Sequence, residues 1–380
     1  MKITFRTDAN HHIGMGHVMR CLSIADAFCK LNNTVLFILA DSTVSALIKE
    51  RGYETIILHT DYRKMESELD VIKDYRCDLF IVDSYYVTNT YLGKLRKVLR
   101  KEGDKNGKLV YIDDICSFPY PADILVNYNA YASSLEYHKL YSLCDEEIPE
   151  LILGTEYVPL RSMFCGLEKK VQPKVVQDIL ISTGGADELH LTLGMIRFLH
   201  EAYIDNSSVI PDDKKDLARE KRFHFVLGAL NSDKKAIYDL IQTQDNIVCH
   251  ENVIDMKSLI QSCDIAISAA GSTLYEICAC GIPLITFALA DNQIMGAEAF
   301  ERLGLADGVG DLRNLHCLNK TKGSSGSLRS DAMQILYTAL LAMIEDVTKR
   351  EKMGKKMQEL IDGHGAERIV KKLTDLVSKT

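Results

Sequence analysis

The chain alternates short runs of aliphatic and β-branched residues with stretches in which apolar residues recur every three to four positions. The runs predict strands at 2–5, 34–39, 54–58, 78–82, 108–112 and 124–127, and the helical spacing between them predicts helices at 18–30, 42–51, 64–76 and 91–102. The rhythm pauses over about 128–173, then resumes with strands expected at 179–182, 224–227, 246–249, 264–268 and 283–287. Helices are expected at 189–203, 233–242, 256–262, 273–280 and 293–303, and everything from Asp331 onward reads as helical. Strand, turn and helix in repetition is the pattern of a parallel sheet covered by helices on both faces. The pause divides it into two doubly wound, Rossmann-like halves: residues 1–165 and 166–365, with 366–380 as a last helix crossing back to the first half. Ligands of such folds lie beyond the carboxyl ends of the strands, so the expected site is a cleft between the halves. The charge-dense stretch 205–222 reads as a solvated insertion, and 319–328, with its Gly/Ser run, as a loop.

Composition narrows the class without naming a reaction. With 380 residues, 47% hydrophobic and 26% charged, the chain can bury a large core and is neither disordered nor fibrous. A formal net charge of −8 argues against nucleic acid or an anionic membrane as the main partner. An anionic ligand would need local backbone donors. The eleven cysteines are scattered, form no CxxC pair and sit mostly in apolar runs. They are expected to be reduced thiols in a cytoplasmic protein. The N-terminus lacks the apolar stretch of a signal peptide, no run approaches a membrane span, and no obligate protein partner is evident.

The sharpest motif follows the first strand, RTDANHHIGMGHVMRCLSIADAF from Arg6 to Phe28. Gly14 and Gly16 allow a tight turn and close approach to a ligand, and His17 stands at the entry of a helix carrying Val18, Cys21, Leu22, Ala25 and Phe28 on one face. A helix start offers unpaired N–H groups and a positive dipole end. That field disfavours a protonated imidazole, so His17 is expected to accept a proton, as a base for water activation must. The spacing is not the dinucleotide fingerprint, because Arg20 stands where its third glycine belongs. Arg6 and Asp8 lie just past the same strand end. His11 and His12 are adjacent on a loop and read as solvated, not as metal ligands.

Further polar groups gather at later strand ends. LFIVDSYYV places Asp83, Ser84, Tyr85 and Tyr86 there, and a tyrosine so placed could bond a sugar or phosphate oxygen or simply pack beneath a loop. Asp113-Asp114 follow the next strand, and Asn127, Asn129 and Tyr131 the one after. In the second half, ILISTGGADELH is a strand, the pair Gly184-Gly185, Asp187 and a helix, a turn suited to a diphosphate. The stretch from Ile267 to Gln293 is a further strand and turn, with Ser272 and Thr273 able to cap a helix and Glu276 one turn inside. A carboxylate there could accept two ribose hydroxyl hydrogens. Asp291-Asn292-Gln293 are expected at the end of the following strand.

The second-half stretch resembles the UDP-sugar-binding half of GT-B enzymes, among them the N-acetylglucosaminyltransferase that makes lipid II. The ordered set RTDANHHIGMGHVMRCLSIADAF, VDSYY, YIDD, DILVNYNAY, GTEYVPLR, STGGAD and SAAGSTLYE resembles, over roughly residues 1–310, the UDP-2,4-diacetamido-2,4,6-trideoxy-β-L-altropyranose hydrolases of pseudaminic acid biosynthesis. The region 205–222 and the tail after about 311 are longer than that family leads one to expect. The resemblance implies a GT-B-like α/β fold and a metal-independent, cofactor-free hydrolase that releases UDP and a free amino sugar destined for surface glycans such as those on flagellin. It implies His17 as the catalytic residue and Tyr85 beside the sugar; from their places in the first loop and at the strand ends, Arg6, Asp8, Gly14, Gly16, Asn127, Asn129 and Tyr131 are expected around the substrate. Gly184, Gly185, Asp187, Ser272, Thr273, Glu276, Asn292 and Gln293 would line the nucleotide. A GT-B glycosyltransferase using a UDP-amino sugar, and a non-catalytic UDP-sugar-binding module, stay open beside it.

Overall fold

A computed structural model describes residues 1–10, 13–100, 107–185, 187, 189–204, 219–228, 230–242, 244–313 and 327–378. His11, His12, Cys317, residues 205–218 of the expected insertion and 319–326 of the expected loop lie outside the described residues. The chain divides into two compact units, Met1–Cys165 with Gly363–Thr380, and Gly166–Asp362.

The first unit is built on β1 (Lys2–Thr7), β2 (Thr34–Leu39), β3 (Glu54–Ile57), β4 (Leu79–Asp83), β5 (Lys108–Ile112), β6 (Ile124–Asn127) and β7 (Glu150–Leu153). They form one parallel sheet in the order β3-β2-β1-β4-β5-β6-β7. Its helices are α1 (Gly16–Lys30), α2 (Ser45–Glu50), α3 (Leu69–Ile72), α4 (Asn89–Leu99) and α5 (Tyr137–Ser142). Phe80, Val82, Leu109 and Tyr111 from the strands pack with Tyr91, Leu92 and Leu95 of α4 in a buried cluster. Each such aliphatic side chain contributes about 1.5–3 kcal/mol on burial. Thr88 starts α4 by accepting the Tyr91 N–H, and Arg96 in its last turn pairs with Asp123.

The second unit carries β8 (Asp178–Ser182), β9 (Arg222–Leu227), β10 (Ile247–Glu251), β11 (Ile265–Ala269), β12 (Leu284–Ala288) and β13 (Asp307–Asp311), paired in parallel in the order β10-β9-β8-β11-β12-β13. Its helices are α6 (Leu191–Ile204), α7 (Lys234–Ile241), α8 (Met256–Gln261), α9 (Thr273–Cys280), α10 (Asp291–Arg302), α11 (Ser327–Glu345) and α12 (Val347–Leu360). The last helix, α13 (Gly365–Ser378), belongs to the first unit and packs on α1.

The alternating rhythm therefore yields two doubly wound parallel sheets. It misses β7 and β13, each at one edge of its sheet. β7 is four residues within a polar stretch, and β13, Asp-Gly-Val-Gly-Asp, has a single aliphatic residue. β1 runs on through Arg6, a charge that ends the apolar pattern, because Arg6 is buried with ion partners. The helix expected at 64–76 is a 3-10 turn, Met65–Glu68, followed by the short α3. Asp291, Asn292 and Gln293 do not end a strand. β12 stops at Ala288 and they form the first turn of α10.

Candidate functional site

In each sheet the chain winds outward from one central strand and returns on its other side. That reversal falls between β1 and β4 in the first unit and between β8 and β11 in the second. Strand-end crevices at such reversals are where α/β folds bind ligands. The register sets Thr7 beside Asp83, so the loop leaving β1 and the end of β4 are neighbours.

At that point the first unit assembles a charged cluster. His17, in the first turn of α1 and only 5% exposed, sets Nδ1 2.5 Å from Asp83 Oδ1. One turn on, the Arg20 guanidinium grips Asp83 with Nε and Nη2, at 2.6 and 2.5 Å. Its other edge donates to Asp114 at 3.0–3.1 Å and to the Tyr128 hydroxyl at 2.7 Å. The Tyr85 hydroxyl donates to Asp114 Oδ2 at 2.9 Å, and its ring meets His17 edge-on at a centroid distance of 4.5 Å. Asn129 donates to the other Asp114 oxygen at 2.8 Å. The participants come from the ends of β1, β4, β5 and β6, four adjacent strands.

The electrostatics follow from this geometry. Burial alone would raise the Asp83 carboxyl, but the charge of Arg20, then that of His17, outweighs it and holds the group well below the usual carboxylate range. His17 Nδ1 lies 2.5 Å from the ionised Asp83 Oδ1 and 2.9 Å from Arg20 Nη2, and the shorter contact with the carboxylate assigns the proton to Nδ1, which donates it to Asp83. Nε2 is then the basic nitrogen, and it has no hydrogen-bond partner among the described residues. Burial and the Asp114 charge push the Tyr85 hydroxyl far above its ordinary value, so it stays a donor. The sequence argument weighed only the helix start around His17; the structure adds a carboxylate behind the ring.

Other expected substrate residues are engaged internally. Arg6 is fully buried and donates to Glu68 from Nε and Nη2 and to Asp8 from Nη1. Asp8 also accepts the Ala40 N–H at 2.7 Å, so Arg6 and Asp8 tie β1 to its neighbours instead of presenting polar atoms to a ligand. Asn127 is fully buried, donating to the Tyr137 hydroxyl and accepting from Asn129, and the Tyr131 hydroxyl donates to the Asp114 carbonyl. The tandem acids split in role. Asp113 accepts from Tyr120, Tyr137 and two turn amides, while Asp114 joins the cluster. Gly14, at φ +76°, makes the turn into α1, and a side chain at Gly14 or Gly16 would meet only open space.

In the second unit the expected nucleotide residues follow β8, β11 and β12, three adjacent strands. Gly184 has φ +94°, and Gly228 at the end of β9 lies so close that a Cβ there would come 2.1 Å from the Gly185 carbonyl. Asp187 is buried and its carboxylate accepts the Leu191 and Thr192 N–H groups, so it caps α6 itself. Ser272 precedes α9 without making the side-chain cap bond its type suggested. It is exposed together with Gly271, and Glu276 lies in the first turn. An anion can therefore approach the start of α9 without displacing a cap. Asn292 is exposed, and Gln293 accepts the Leu289 N–H through Oε1.

Residues 205–311 match the glycosyltransferase family 28 C-terminal domain. The chain is 24% identical to the spore coat polysaccharide biosynthesis protein SpsG of Bacillus subtilis, over 99% of this chain and 98% of that one. It is 25% identical to the UDP-2,4-diacetamido-2,4,6-trideoxy-beta-L-altropyranose hydrolase of Campylobacter jejuni, over 71% of this chain and 85% of the other. An uncharacterized protein of Methanocaldococcus jannaschii is 27% identical over 77% of this chain, which spans 56% of that protein's length. Acinetobacter baumannii MurG superposes over 100% of both chains with a TM-score of 0.60 at 14% identity. The S. aureus MnaA–UDP co-structure gives 0.62 at 12% identity, over 99% of this chain and 97% of that one. The chain has a GT-B fold and is similar in sequence to the altropyranose hydrolases. Among its described residues no helix is long and apolar enough to cross a membrane.

Within this GT-B chain, sequence reasoning missed Arg20 as a site residue. It registered the arginine only as the reason to set aside a dinucleotide fingerprint. The available signal was its spacing, one turn after His17 on the face that looks back at the strand ends. Asp83 and Asp114 were legible as strand-end acids. Their convergence on one guanidinium was not, since they stand 63 and 94 positions from Arg20. Tyr128 lay within the pause and gave no signal.

Proposed function

We propose that the protein hydrolyses a UDP-linked diacetamido-trideoxy sugar at its anomeric C–O bond, giving UDP and free 2,4-diacetamido-2,4,6-trideoxy-L-altrose for pseudaminic acid biosynthesis. The observation that carries this reading is His17, oriented by buried Asp83 with Nε2 left as the basic nitrogen. Water attacks C1 as Nε2 takes its proton, and the bond from C1 to the diphosphate oxygen breaks with its electrons on UDP. The imidazolium formed is matched by Asp83. With Arg20, Asp83 and Asp114, the cluster then moves from one net negative charge to neutrality. Tyr85, held as a donor by Asp114, is assigned to the sugar. In the second unit the glycine turn after β8 and the start of α9 hold the diphosphate, with Glu276 on the ribose and Asn292 and Gln293 alongside. UDP so held needs no strong acid. The Campylobacter relative's name supports the substrate class, and MnaA, solved with UDP, has the same fold.

The test is incubation with a panel of UDP-diacetamido-trideoxy sugars in ¹⁸O-water, with both products read by mass and NMR. The label is expected on the C1 hydroxyl of the free sugar. Label in UDP would mean attack at phosphorus and would end this mechanism. The family 28 match favours a second reading, a GT-B glycosyltransferase using a UDP-amino sugar. UDP release that requires an added glycan acceptor would select it. Tight UDP-sugar binding without turnover over hours would select a non-catalytic binding module instead.

A further inference from the structure

A second group of chemistry-bearing side chains lies where the chain leaves the first unit and where it comes back. Cys165 is the last residue before the second unit, and Gly363 is the first after it. Cys165 Sγ, a ring nitrogen of His364 and a Glu367 carboxylate oxygen all lie within 4.8 Å of one another. His364 Nδ1 is 2.8 Å from Glu367 Oε2, and the Cys165 thiol donates to the Gly363 carbonyl at 2.9 Å. Glu367 Oε1 is held by Lys30 Nζ at 3.0 Å, which fixes the carboxylate and leaves Oε2 facing the other two groups. Thiolate, imidazole and carboxylate are together the ligand types of zinc, and three protein ligands with water in the fourth position are a stable tetrahedral set.

We propose that Cys165, His364 and Glu367 form a binding site for a zinc-type divalent cation that fastens the outgoing chain at Cys165 to the returning chain at the start of α13. Coordination releases the Cys165 thiol proton to solvent and moves the His364 ring proton from Nδ1 to Nε2, so that all three ligands present lone pairs. The site is separate from the reaction proposed above. Lys30 ends α1 and His17 opens it, and a helix of that length sets them about 20 Å apart. The ion therefore acts at the chain crossing and not on the substrate, and catalysis at His17 does not require it.

The full-length, reduced protein is titrated with Co²⁺ alone and followed by absorption. One equivalent should give a thiolate-to-cobalt charge-transfer band with tetrahedral d–d bands, and Zn²⁺ should displace it. Cys165→Ser should abolish the charge-transfer band, while His364→Ala and Glu367→Gln should weaken binding at least about tenfold, in line with losses of ligand-shell groups elsewhere. Far-UV circular dichroism checks that each variant folds. Should Cys165→Ser not fold, the two partly exposed positions decide the matter alone. No saturable band, a band that survives Cys165→Ser, or unchanged affinity in both other variants would overturn the site, the last two because they assign the metal to other thiols.

Discussion

The two units place similar sheets around similar chain reversals, yet their strand ends differ in kind. The first unit's β1, β4, β5 and β6 end in side chains that bind one another: His17, Arg20, Asp83, Asp114 and Tyr85. The second unit's β8 and β11 end in backbone turns, Gly184-Gly185 and Gly271-Ser272, with Asp187 occupied as a cap. Under the proposed function, one sheet end moves a proton and the other holds an anion by N–H groups. A doubly wound sheet supplies only the position; the residues after each strand decide what is done there.

The largest effect that would break this comparison is at the base. His17→Ala should lower UDP release by about 10²–10⁴-fold while the fold survives, as expected for loss of a general base. A fully active variant would take the proton-moving role away from the first unit. Arg20→Met comes next. It leaves Asp83 and Asp114 without their shared cationic partner, which costs about 3–5 kcal/mol, and urea unfolding should show that loss. A midpoint unchanged from the parent would mean the cluster is held by something else. The same pairing has a pH signature. The folded-state value of Asp83 lies below its unfolded value of about 3.9. Its contribution is therefore complete above that pH and is lost as the pH falls below it. Asp83→Asn should flatten that acid limb of the stability curve.

Smaller changes sharpen the other half. Glu276→Ala should weaken UDP binding about 10–100-fold, the loss of hydrogen bonds to a charged group worth about 1.5–3 kcal/mol, with turnover at saturation little changed. Calorimetry with UDP separates this from a loss of kcat. Gly184→Ala forces a side chain into a left-handed backbone at about 1–2 kcal/mol. UDP affinity should drop modestly while the His17 cluster is untouched.

Much of the architecture was readable because parallel strands buried on both faces are continuous apolar runs, and the helices between them carry a clear 3.6-residue period. β7 and β13 escaped because one is only four residues long in a polar stretch and the other has a single aliphatic residue, whereas the opposite edges β3 and β10 keep apolar runs. Gly14, Gly16, His17 and Tyr85 were legible from motif and position. For Arg6 and Asp8 the sequence did not show the internal pairing, since a charged pair at a strand end looks the same in sequence whatever it faces, here Glu68 for Arg6. The capping role of Asp187 was likewise not legible, as a phosphate-side acid and a helix cap occupy the same turn.

What the chain's own pattern determined is local: where backbone must be extended or helical, where glycine permits a turn, and which residues follow each strand. What only the tertiary structure decided is pairing across distance. That Asp83 orients His17, that Arg20 joins Asp83 to Asp114, and that Cys165 meets His364 and Glu367 all depend on which strand and helix ends the fold brings within a few ångströms. Periodicity reports burial one element at a time, whereas Coulombic and hydrogen-bond partnerships are set by distances that no single element contains.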